Sequence, residues 1–175
     1  MKNKTTLIIV MTLGVLLSGL FILKNRKPQH KNEQKISAIQ KKLPAFEFYN
    51  IDDQSVFSNK NITQEKKICV VYFDPDCDYC ENEISSIVKN ISSFKNTEIL
   101  LVSANKLQKL ENIRDKFRLK QFQNVHILWD KDLRFESLFG RFMIPSSYIY
   151  NNDSTLLKEY HGLVDINAIT KWLKA

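Results

Sequence analysis

Cys77 and Cys80 stand two residues apart, in Cys77-Asp78-Tyr79-Cys80, where an apolar run gives way to an amphipathic one. Upstream, Ile68-Cys69-Val70-Val71-Tyr72-Phe73 reads as a buried strand. Downstream, Ile84, Ile87, Val88, Ile91 and Phe94 recur at helical spacing and mark one apolar face. The start of a helix presents unpaired backbone N–H groups and a partial positive charge. Those groups favour thiolate over thiol at the first cysteine, and the thiolate is the nucleophile. Cys77 is therefore the expected attacking thiol. Cys80, one turn further in, is the expected resolving thiol, closing a redox-active Cys77–Cys80 disulfide.

Two other readings use the same pair. One is a static bridge or two unrelated buried thiols. The other is half of a zinc site, which needs more ligands than the scattered His30, His126 and His161 supply. No metal and no bound cofactor is expected. Cys69 falls inside the predicted strand, where a free cysteine packs as a small hydrophobe.

These cysteines need a scaffold, and the chain supplies about 130 residues from Leu43 onward, enough for one domain with one core. Strands are predicted at 46–49 and 55–57, around turn residues Asn50 to Gln54, then at 68–73, 98–103, 125–129, 147–150 and 155–160. Helices are predicted at 78–94, 107–117, 133–139 (stopped by Gly140) and 166–173. Strands alternating with helices, with a hairpin near the end, imply an α/β sandwich around a mixed sheet.

Residues 1–23 lie outside this pattern. Thr5 to Leu23 is a 19-residue uncharged stretch, just long enough to span a bilayer core, and Lys2 and Lys4 precede it. It lacks a convincing small-residue cleavage pair, and no cysteine follows for lipoprotein processing, so an uncleaved signal anchor is expected. Residues 24–42 are polar and charged and read as a juxtamembrane stalk. The net charge of +7 is concentrated there, in Lys24, Arg26, Lys27, Lys31, Lys35, Lys41 and Lys42. Anionic head groups account for such lysines, and no nucleic-acid partner is implied. By the positive-inside rule the same charges place the C-terminal domain in the cytoplasm.

The segment Phe73-Asp74-Pro75-Asp76-Cys77-Asp78-Tyr79-Cys80-Glu81-Asn82-Glu83 resembles the active site of TlpA/ResA-like thiol–disulfide oxidoreductases, in the thioredoxin superfamily and its AhpC/TSA–redoxin clan. Leu43-Pro44-Ala45-Phe46 resembles that family's opening hairpin. Ile144-Pro145-Ser146-Ser147-Tyr148-Ile149 resembles its cis-proline segment, and Tyr160-His161-Gly162 its ending. The resemblance implies a thioredoxin-like three-layer sandwich with a central mixed β-sheet and an N-terminal β-hairpin extension. It implies a cis Pro145 beside the dithiol, and an Ile144 backbone that pairs with an extended substrate segment. It also implies Glu83 as proton acceptor for the resolving thiol, against the plain reading of a solvated first-turn glutamate. Against the charge count, it favours an extracytoplasmic (periplasmic) domain. The partners would be a disulfide-containing protein substrate and an upstream thiol donor.

Two departures from the family stand out. Asp76 replaces the usual aromatic residue before the first cysteine, where it also suits a helix N-cap. The active-site helix lacks the proline often found there. Asp74, Asp76, Asp78, Glu81 and Glu83 crowd the dithiol and oppose thiolate formation. A poorly stabilised reduced form makes a reductant, so a disulfide reductase is expected. Two other functions share the fold. A peroxiredoxin-like thiol peroxidase would place Thr or Ser ahead of its cysteine, where Asp74-Pro75-Asp76 stands here. An SCO-like copper chaperone would space its cysteines by three residues and add a histidine, His161 or His126.

Overall fold

A computed structural model describes residues 41–174. The expected anchor, and the stalk up to residue 40, lie outside the described residues. Among the described residues no helix is long and apolar enough to cross a membrane.

Seven strands form one mixed sheet: β1 (Glu47–Asn50), β2 (Val56–Ser58), β3 (Lys67–Tyr72), β4 (Thr97–Ser103), β5 (Val125–Trp129), β6 (Ser146–Tyr150) and β7 (Leu156–His161). Four α-helices pack on it: α1 (Asp78–Lys89), α2 (Leu107–Lys116), α3 (Phe135–Phe139) and α4 (Ile166–Leu173). The spatial order is β2-β1-β5-β4-β3-β6-β7. β3, β4 and β5 run parallel; β1, β6 and β7 join antiparallel.

That order explains where the helices lie. The crossovers β3-α1-β4 and β4-α2-β5 step in the same direction across the sheet. Right-handed connections then put both helices on the same face. α3 covers the other face, where its Phe135 packs with Val70 and Tyr72 of β3. Cys69 and Val71 of β3 contact the first layer, with Ile84 and Ile87 of α1, Leu110 and Ile113 of α2, and Ile169 of α4. Ile68, Val70 and Tyr72 contact the second, with Phe135 and the hairpin residues Phe48 and Phe57. Both faces of β3 and β4 are covered, which is why these strands are apolar without alternation.

The β1–β2 hairpin joins the sheet edge through Tyr49, opposite Trp129 of β5. Lys41 and Lys42 already belong to the packed unit. Lys42 bridges to Thr155, and the Lys41 carbonyl accepts from Leu156 at 2.8 Å.

Most boundaries differ by a residue from the sequence expectation, and two differ for a clear reason. The predicted helix 78–94 stops at Lys89. The Asn90 side chain donates to the Ser86 carbonyl at 2.9 Å, and a 3-10 turn over Ile91–Phe94 then buries Phe94. Asparagine competes for backbone groups in this way and favours helix ends. The predicted helix 133–139 starts at Phe135. Leu133 has a left-handed backbone (φ 54°), and buried Asp130 accepts from the amides of Arg134 (2.7 Å) and Phe135 (3.0 Å). Asp130 thus satisfies amides that a helix start leaves open.

Candidate active site

Parallel strands β3 and β4 end on the same side of the sheet, and the dithiol lies just beyond β3. Phe73 is fully buried and extends the strand, its amide donating to the Val102 carbonyl at 3.0 Å. A turn follows, in which the Cys77 amide donates to the Asp74 carbonyl at 3.1 Å. Asp74 also accepts from the Asp76 amide (2.8 Å) and from the Asn105 side chain (3.1 Å) at the end of β4. Cys77 is itself the N-cap of α1, with extended backbone and no side-chain cap. The cap expected of Asp76 is therefore not made. Asp76 instead forms an ion pair with Lys109 of α2.

Both cysteines are free thiols. Cys77 is half-buried, whereas Cys80 is 1% exposed. The Cys80 sulfur accepts from the Asp74 amide at 3.5 Å. Burial above all pushes the Cys80 thiol up to about 12. The bond from Asp74 works against the rise, and the neighbouring Cys77 and the Glu83 carboxylate add to it. Cys69 is fully buried among Val71, Ile84 and Ile149, and burial raises its thiol as well.

Glu83 lies three residues beyond Cys80, on the same face of α1. It is 1% exposed, so the solvated glutamate is not what the fold makes of it. Ser147 of β6 donates to its Oε1, and the nearby Val164 backbone also favours the ionised carboxylate. Oε2 is buried without a partner. Burial pushes the Glu83 carboxyl up to about 7, against Ser147 and Val164, which favour its ionised form.

The Ile144–Pro145 peptide is cis. Ser146 pairs with Tyr72 across β3 and β6, so Pro145 lies at the level where β3 ends and the turn to the dithiol begins. The Pro145 carbonyl accepts from the Gly162 amide at 2.7 Å, which brings the segment after β7 alongside. Gly162 has φ 90°, a conformation that side chains disfavour. Tyr79, Met143, Ile144 and Leu163 from these three segments are exposed large hydrophobics.

Sequence reasoning missed the cations. Lys109 faces Asp76, and Lys116 faces Glu81 at 2.6 Å, so two of the crowding carboxylates are paired. Both lysines lie on the outer side of α2, a position that depends on how α2 packs beside α1. It also missed Ser147, one of two serines in a strand that is buried throughout. The histidines are not drawn to the dithiol. His126 bonds to Glu98 at 2.8 Å and His161 to Ser146 at 3.1 Å. Among the described residues no three His, Cys, Asp or Glu side chains are grouped to hold a metal.

The model of the AhpC/TSA family matches residues 39–158, which include the dithiol, Glu83 and Pro145. The chain belongs to the AhpC/TSA family. Membership agrees with the resemblance carried by residues 73–83, and it makes redox chemistry at cysteine the general activity. No curated protein matches the chain. Solved structures with the same thioredoxin-like fold include a Neisseria meningitidis protein assigned as a thioredoxin (21% identity, TM-score 0.63, 75% of this chain and 87% of that one). Another is a secreted Mycobacterium tuberculosis disulfide oxidoreductase homologous to E. coli DsbE (14%, 0.63, 74% and 94%). A third is a thiol peroxidase from Chromobacterium violaceum (13%, 0.61, 77% and 85%). At these identities the likeness is one of fold, and the solved structures that share it carry more than one chemistry in their names.

Proposed function

We propose that this AhpC/TSA protein is a thiol–disulfide oxidoreductase that reduces disulfides in protein substrates. The observation that carries the reading is the pair itself: half-buried Cys77 at the start of α1, with buried Cys80 one turn behind it and buried Glu83 next in line. Cys77 thiolate attacks a substrate disulfide and forms a mixed disulfide, releasing one substrate sulfur as a thiolate. Cys80 gives its proton to Glu83 and attacks Cys77. The Cys77–Cys80 bond forms, the bond to substrate breaks, and the second substrate sulfur leaves as thiolate and takes up a proton. Two electrons pass from the dithiol to the substrate. A thiol donor returns the protein to its reduced form.

The reducing direction is supported by the acidic first turn of α1. Asp78 and Glu81 there oppose the stabilisation that a helix start gives a thiolate at Cys77. Strong oxidants of this fold depend on such stabilisation. Ile144, 42% exposed beside the cis bond, offers backbone to an extended substrate segment. A pair of thiols at the start of α1 suits exchange better than a single peroxidatic cysteine, and His126 and His161 bond to Glu98 and Ser146 rather than to the dithiol. We place the domain outside the cytoplasmic membrane, tethered by residues 5–23. That placement is supported by the apolar run and by a dithiol suited to compartments where disulfides persist.

The test is trapping. Full-length Cys80→Ser protein expressed in its own cells should accumulate a mixed disulfide through Cys77, absent from the Cys77→Ser variant. No linked protein, together with peroxide turnover by Cys80→Ser, would replace this function with a peroxidase. Protease added to intact cells should remove the domain; full protection would reverse the topology.

A further inference from the structure

The carboxylate of Glu83 is held asymmetrically. Ser147 donates its hydroxyl to Oε1, while Oε2 is buried without any partner. A buried carboxylate oxygen without a donor is costly, and most such atoms in proteins are paired. Ser147 itself is 1% exposed, so its hydroxyl has no access to bulk water and its hydrogen is committed to Glu83. It sits on β6 two residues after the cis Pro145, opposite Val71 of β3. The strand that carries the substrate-facing loop therefore also carries the group that orients the carboxylate.

We propose that Ser147 is a positioning residue for thiol resolution: by occupying Oε1 it leaves Oε2 as the atom that takes the Cys80 proton. The inference rests on the proton-acceptor reading of Glu83. In the resolving step the Cys80 S–H bond breaks and its proton binds Oε2. The Cys80 sulfur then bonds to the Cys77 sulfur, and the bond from Cys77 to the substrate breaks. Ser147 neither gains nor loses a proton. Its hydrogen bond favours ionised Glu83, and so keeps the acceptor available nearer neutrality than burial alone allows.

Groups facing Glu83 come from four elements. Cys80 lies on its own helix α1 and Cys69 on β3, and both feel its charge. Ser147 comes from β6, and the Val164 backbone from the segment between β7 and α4. Cys69 and Cys80 are raised thiols, neutral throughout the working range. The pH response of resolution is therefore assigned to Glu83, with Ser147 setting its midpoint.

The reduced full-length protein is mixed with 5,5′-dithiobis(2-nitrobenzoate) in a stopped-flow instrument. The first released thionitrobenzoate reports attack by Cys77, and the second reports resolution by Cys80. In the wild type the second phase slows as pH falls through the Glu83 ionisation. Ser147→Ala moves that midpoint alkaline by about one pH unit and slows the second phase about tenfold on the acid side, leaving the first phase unchanged. Ser147→Thr restores the wild-type midpoint. If Ser147→Ala does not fold, Ser147→Thr against the similarly shaped Ser147→Val makes the same comparison. If Glu83→Gln abolishes the pH limb but loss of the hydroxyl leaves the midpoint in place, Ser147 has no such role and Glu83 retains its own. A limb that survives in Glu83→Gln overturns the acceptor reading and this inference with it.

Discussion

Asp76, the residue immediately before the first active-site cysteine, is ion-paired with Lys109 of the next helix. The carboxylate that the sequence places against thiolate formation is therefore partly neutralised. Its pairing depends on helix α2, 33 residues away in sequence.

Removing that cation should make the protein more reducing. In Lys109→Gln the unpaired Asp76 charge disfavours the reduced, thiolate-bearing form. Both side chains are substantially exposed (41% for Lys109 and 61% for Asp76), so the effect is small. Midpoint potential measured against glutathione should fall by roughly 5–20 mV at low salt, with the difference shrinking in high salt. A rise in potential would contradict the role given to Asp76.

Glu83 should make stability fall with rising pH. Its carboxyl is raised from 4.5 to about 7 in the folded state. The stabilisation this confers is complete below about 4.5, is lost between there and about 7, and is absent above. Its size is about 3 kcal/mol. Glu83→Gln removes the dependence and should be the more stable protein at pH 8. Urea unfolding of the reduced protein at pH 5 and pH 8 checks both statements.

Cys69 should prove structural. Cys69→Ser buries a hydroxyl among apolar neighbours and should cost about 1–3 kcal/mol in urea unfolding. Cys69→Ala should cost less. Disulfide reduction by either variant, assayed where it is folded, should match the wild type. Loss of turnover in folded Cys69→Ala would give this thiol a part in the chemistry.

Glu98 should anchor the sheet on the side away from the dithiol. It is 2% exposed and pairs with Lys66 (2.7 Å) and His126 (2.8 Å). Burial pushes its carboxyl up, but the bonds from Lys66, Thr63 and His126 outweigh burial and hold it below 4.5. The stability it confers is present above that value and lost as pH falls through the lower folded one. Glu98→Ala removes the partner of Lys66, whose side chain is 29% exposed and can turn to water, and should cost about 1–3 kcal/mol at pH 7 with the redox potential unchanged.

The fold was legible where burial and periodicity speak together. β3 and β4 are apolar on both faces because helices cover both, and the run after Cys80 repeats at the spacing of a packed helix. The turns before α3 and after α1 were not legible as such. Asp130 caps α3 and Asn90 ends α1 through side-chain bonds, which leave no mark on hydrophobic periodicity.

The dithiol was written in the order of residues: a buried strand, two cysteines two apart, and a helix start follow from local sequence alone. Local sequence also set Glu83 on the face of Cys80, since helical spacing fixes that. Whether Glu83 meets water or Ser147, and whether Asp76 meets Cys77 unopposed or Lys109 first, could not be read there. Those outcomes depend on β6 and α2, distant in the chain and brought in by the sheet order. Charge and burial act through space, so only the packed structure sets them.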